Sequence, residues 1–114
     1  MSATASESEE WVVSKKRLFE TETGKNLADY YYERILEREC DREGKDREQC
    51  IREWMEGFDY IRVDIWPDDE RVRYAFHTAD GHMVDEYYEY VDEYFDADEI
   101  MARIVADLRR AVEN

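Results

Sequence analysis

Residues 82–95 read HMVDEYYEYVDEYF, and the fold turns on whether this run is a strand or a helix. Tyrosine favours strands, and a third strand of a meander would fit. The apolar side chains argue the other way. Met83, Val84, Tyr87, Tyr88, Val91, Tyr94 and Phe95 fall at i, i+1, i+4, i+5, i+8, i+11 and i+12, which is helical spacing throughout. A strict alternation would break at the adjacent Tyr87 and Tyr88. The spacing therefore predicts a helix, whose first few residues are free to extend a sheet.

Immediately upstream the period is two. Ile61, Val63 and Ile65 alternate with Arg62 and Asp64, and Val72, Tyr74 and Phe76 alternate with Arg73, Ala75 and His77. The polar break Pro67–Asp68–Asp69–Glu70 joins the runs, which is a hairpin signal. Thr78–Ala79–Asp80–Gly81 marks a second turn. Further back the period is that of a helix: Leu27, Tyr31 and Ile35 form one row, and Ala28, Tyr32, Leu36 and Cys40 the next. This predicts a helix over 26–43 with Asn26 as its N-cap and Gly44 as its stop. A second helix over 46–57 is capped by Asp46, with Cys50, Ile51, Trp54, Met55 and Phe58 repeating the same spacing. Residues 11–23 read as an extended segment or edge strand. Ile100, Met101, Ile104, Val105, Leu108 and Val112 give a C-terminal helix behind Asp96 or Asp98. The expected fold class is α+β, with a helical hairpin, a β-hairpin and C-terminal helices packed as one domain over 11–114. Residues 1–10 are expected to be a disordered acidic tail.

Charge bounds the function. The chain has 114 residues, 16 Lys and Arg against 31 Asp and Glu, and a formal net charge of −15. A phosphate backbone would need a Lys or Arg at each contact, so direct nucleic-acid binding is excluded, and an anionic membrane is disfavoured for the same reason. The small, acidic N-terminus lacks the basic start and apolar run of a secretory signal. No stretch approaches the ~20 apolar residues of a membrane-spanning helix. A cytoplasmic location is the expectation.

Candidate chemistry is sparse. His77, Asp80 and His82 match no standard metal spacing, and the acids over 92–99 lack the central glycine of a calcium loop. Neither a metal nor a cofactor is expected. Ser14 is the only serine beyond residue 8 and sits beside Lys15 and Lys16, and no nucleophile or phosphate-loop motif is present, so an enzyme is the least favoured class. Cys40 and Cys50 lie symmetrically about the turn at Gly44 and could face each other. Two reduced thiols are the preferred reading for a chain of the cytosol.

The distribution of charge is more informative. Between Arg73 and Arg103 there is no Lys or Arg, only acids and tyrosines. On a helix, Asp85, Glu89, Asp92 and Asp96 would run along one side at i, i+4, i+7 and i+11, with carboxylates repeating about every 5–6 Å. That repeat resembles the phosphate spacing of a nucleic-acid strand. The candidate binding residues are therefore Asp85, Glu86, Tyr88, Glu89, Tyr90, Asp92, Glu93 and Asp96. The favoured function is a small acidic protein-binding module that occupies a basic surface of a partner protein. Inhibitors, antidotes and nucleic-acid mimics have this profile, and a nucleic-acid-binding protein is a natural partner. The alternative is a structural or assembly subunit from a salt-adapted organism or virus, with generic surface acidity.

Overall fold

The two alternating runs become the centre of an antiparallel sheet. In the computed structural model, which describes residues 8–112, strand β2 (Tyr60–Trp66) pairs with β3 (Arg71–His77), and β1 (Glu9–Ser14) and β4 (Met83–Tyr90) flank them in the order β1-β2-β3-β4. Between β1 and β2 lie α1 (Lys15–Leu18), α2 (Glu22–Tyr31), a π-helical turn (Tyr32–Leu36), α3 (Glu37–Arg42) and α4 (Arg47–Met55). After β4, a 3-10 turn (Val91–Glu93) leads to α5 (Ala97–Val112). The class is α+β, as expected.

The inward side chains of the sheet explain its order. Ile61, Val63, Ile65, Val72 and Phe76 are fully or almost fully buried, and Val13 and Tyr87 extend the same layer from the flanking strands. Leu18, Leu27, Tyr31, Ile104, Leu108 and Ala111 cover it from the helices. Fully burying one such aliphatic or aromatic side chain stabilises by about 1.5–3 kcal/mol. At one end the rings interlock: Tyr31 stacks on Trp54 at 4.5 Å, and Phe58 and Phe76 close on the same indole at 5.1 and 5.2 Å.

Residues 82–95 are not a helix. Met83–Tyr90 is a strand, and its register with β3 shifts at Phe76/His77, so that His77 faces Met83. Asp85, Tyr87 and Glu89 point inward, and Val84, Glu86, Tyr88 and Tyr90 point outward. The apparent break at Tyr87–Tyr88 disappears because tyrosine suits either face, burying its ring or standing beside charged neighbours. Glu89, polar yet buried, hid the inward row.

Two further expectations are corrected. Helix α2 begins at Glu22 and is capped by Thr21, whose Oγ1 accepts from Gly24 N at 3.1 Å, rather than by Asn26. Gly24 is required there, because a Cβ would lie 2.0 Å from the Leu18 carbonyl oxygen. Cys40 and Cys50 are not free thiols; they form a disulfide across the α3–α4 turn, with Cα atoms 6.1 Å apart. The turn itself is as expected: Gly44 takes φ +77°, and the Asp46 carboxylate accepts from Gln49 N at 2.8 Å. The strand β1 begins at Glu9, so Glu9 and Glu10 belong to the sheet, while residues 1–7 of the expected tail lie outside the described residues. Among the described residues no helix is long and apolar enough to cross a membrane.

Candidate interaction surfaces

The eight candidate residues separate into three environments, and the single carboxylate row does not exist. Asp85 and Glu89 face the helices. Asp85 accepts a hydrogen bond from the Tyr31 hydroxyl. Glu89 is 5 % exposed; its Oε1 accepts from Arg34 at 3.0 Å and from the Tyr87 hydroxyl at 2.9 Å, and its Oε2 accepts from Tyr94. Arg34 reaches this site from the π-helical turn and lies over the Tyr30 ring at 4.9 Å. Its guanidinium is held charged by the Tyr94 hydroxyl and by Glu89. Burial, and then the bond to Glu89, push the Tyr87 hydroxyl well above its ordinary value. Glu89 is buried in the fold, whereas Asp85 is tied to Tyr31 and remains exposed.

Glu86, Tyr88 and Tyr90 lie on the outer face of the sheet. Register fixes their neighbours: Arg62, Asp64 and Trp66 on β2, and Arg71, Arg73 and His77 on β3. Arg73 bridges Glu86 at 2.6 Å and Asp64 at 3.0 Å. Arg71 lies over Trp66 at 4.3 Å and within 6.0 Å of Tyr88, and Tyr88 stacks loosely on Tyr90 at 6.2 Å. The helices pack against the other face, and among the described residues nothing covers this one.

Asp92, Glu93 and Asp96 lie at one end of the molecule. The meander brings the β2–β3 turn, with Asp68, Asp69 and Glu70, beside the end of β4, where Val91 N donates to Glu70 O at 2.8 Å. Glu70 is in the left-handed region at φ 49°, and the Asp98 carboxyl beside it, burial and the Asp92 charge raise its pKa. Glu70, Asp92, Asp96, Asp98 and Glu99 line a shallow hollow that also includes Phe95. Among the described residues no Lys or Arg lines it. Phe95 is wholly exposed at 107 %, whereas Tyr94 beside it turns inward to Glu89. Sequence reasoning found half of this pole. It missed Glu70, Asp98 and Glu99 because only a strand at 83–90 returns the chain to the β2–β3 turn and gathers these acids at one end. It also placed Phe95 in the apolar row of a helix.

The remaining candidates have local roles. His77 stacks on Tyr60 at 5.1 Å and contacts Gly81 O at 3.2 Å, while Asp80 accepts from the Thr78 hydroxyl and from His82 N, so the trio locks a turn. Among the described residues no group of three or more His, Cys, Asp or Glu is arranged to hold a metal ion. A cavity of about 40 Å³ lies between α2, α5 and the sheet, lined by Leu27, Tyr30, Tyr74, Ile104 and the unpartnered Thr23 hydroxyl. That volume suits water rather than a metabolite. No family model matches the chain, and neither a curated protein nor a solved structure matches it significantly.

Proposed function

We propose that this chain is an acidic protein-binding module whose working surface is the pole formed by Glu70, Asp92, Glu93, Asp96, Asp98 and Glu99 around Phe95. The observation that carries the reading is Phe95, a large apolar side chain fully exposed among carboxylates. A solvated acidic surface has no use for it, whereas an interface uses an aromatic anchor at its centre and charge at its rim. The carboxylates steer a basic partner and Phe95 fixes it. Occupying the basic site of a nucleic-acid-binding protein, as an inhibitor or antidote does, is the role of this chemistry. Cytoplasmic residence would require a host cytosol oxidising enough to keep the Cys40–Cys50 bond.

The experiment is a capture from source lysate followed by binding measurements with the identified partner. Phe95→Ala, and separately Asp92→Asn with Asp96→Asn and Glu99→Gln, should each weaken binding at least tenfold, about 1.4 kcal/mol. Neutralising Glu33, Glu37 and Glu48, three exposed acids outside the pole, should change it little. Generic acidity of a salt-adapted assembly subunit predicts equal, small losses for both acid sets and no effect of Phe95.

A further inference from the structure

We propose that the open face of the sheet is a self-association surface on which two copies of this chain meet face to face. The face is rich in aromatic and aliphatic groups for a solvated sheet: Val12 is 61 % exposed, Val84 48 %, Tyr90 47 % and Tyr88 36 %, with Trp66 half-buried among them. An antiparallel sheet with one wet face normally presents polar side chains there.

Charge selects the occupant. The charged residues of this face are Arg62, Arg71 and Arg73 against Glu10, Asp64 and Glu86, an even balance, so the entire net charge of −15 is carried elsewhere. A basic partner is drawn to the acidic pole rather than to this neutral face. A second copy of the same neutral face is complementary to it, as a two-fold interface demands. Arg71 supplies an independent sign. Among the described residues no carboxylate pairs with it, although the chain has 31 acids, and its Nε is buried without a hydrogen-bond partner. Glu10 and Glu86 pair within one copy with Arg62 at 2.7 Å and Arg73 at 2.6 Å but stay partly exposed, so on a second copy either can be shared with Arg71. Four strands about 4.8 Å apart and some seven residues long project roughly 19 by 24 Å, which suits a reversible dimer better than an obligate one. Two sheets packed this way lie about 10 Å apart. This inference does not rest on the acidic pole.

The test is sedimentation equilibrium of the full chain from about 5 to 200 µM, in about 0.1 and 1 M NaCl, where the Debye length falls from roughly 10 to 3 Å. The mass should rise with concentration from 13.8 kDa towards twice that value, and more readily in high salt, which screens the repulsion between copies. Val84→Lys with Tyr90→Lys brings the charge from −15 to −13, which by repulsion alone would favour association. On the proposed interface it should instead weaken the dimer at least tenfold. Phe95→Ala should leave the dimer unchanged. A monomer under every condition overturns the proposal, as does a double-lysine variant that dimerises like the parent or a dimer lost with Phe95. Should circular dichroism show the double variant unfolded, Val12→Lys on the opposite edge strand carries the same two outcomes.

Discussion

Removing the Glu89 carboxylate leaves Arg34, Tyr87 and Tyr94 converging on a position with no acceptor. Arg34 is 48 % exposed at its side chain and can rehydrate, so the cost falls short of a fully buried broken pair. Glu89→Ala should destabilise by about 2 kcal/mol, read from urea unfolding. Arg34→Ala should cost a similar amount, because a carboxylate whose side chain is only 7 % exposed loses its counter-charge and keeps only the Tyr87 and Tyr94 hydroxyls. If both cost less than about 0.5 kcal/mol, within the usual range for surface changes, the network is ornamental. Glu70 makes a pH-dependent case. Asp98 first, then burial and the Asp92 charge, raise its pKa, so the folded chain binds the proton more tightly than the unfolded one. The stability this contributes is present below the ordinary value of 4.5 and is lost as pH rises through the raised one. Glu70→Asn removes the repulsion and suits the left-handed backbone. Its melting temperature should exceed the parent's at neutral pH, with the gap narrowing as the pH approaches 4.5. A gap independent of pH would show that backbone conformation alone is responsible.

The α3–α4 hairpin is stabilised separately from the main core. Tyr32, Cys40 and Cys50 form their own small cluster with Leu36 and Ile51, and Lys45 ties Glu43 and Glu53 across the turn at 2.9 and 2.6 Å. Reducing the disulfide should therefore cost about 2–3 kcal/mol, with faster amide exchange concentrated between residues 37 and 56. Loss of protection across the sheet instead would mean the hairpin is integral to the core. The hairpin's capping and periodicity were readable in the chain because they are local: Gly44, Asp46 and the rows of Tyr32, Leu36 and Cys40 act within a few residues of each other. The same holds for β2 and β3, whose inward rows are wholly apolar. β4 was not readable, because its inward row is Asp85, Tyr87 and Glu89, and what buries Glu89 is an arginine more than fifty residues away. The helical alignment of the candidate residues went with it. A carboxylate row drawn on a helix wheel separates, on a strand, into inward structural acids and an outward face.

At the scale of the molecule, the excess of acids sets the response to salt. Repulsion among like charges destabilises the compact state, so the melting temperature should rise between about 0.05 and 0.5 M NaCl as the Debye length shrinks from roughly 14 to 4 Å. A fall would mean that ion pairs such as Arg73 with Asp64 and Glu86 outweigh the repulsion. The order of the sheet has a kinetic consequence. β2, β3 and β4 are consecutive hairpins, whereas Ser14 meets Tyr60 only after the chain closes a loop of roughly 45 residues through all four early helices. The meander can assemble on local contacts, and β1 must wait for the helices to fold back. Truncating Val72 on β3 should then slow refolding, while truncating Val13 on β1 should mostly hasten unfolding. The N-terminal strand is thus the last piece to arrive and the first to leave.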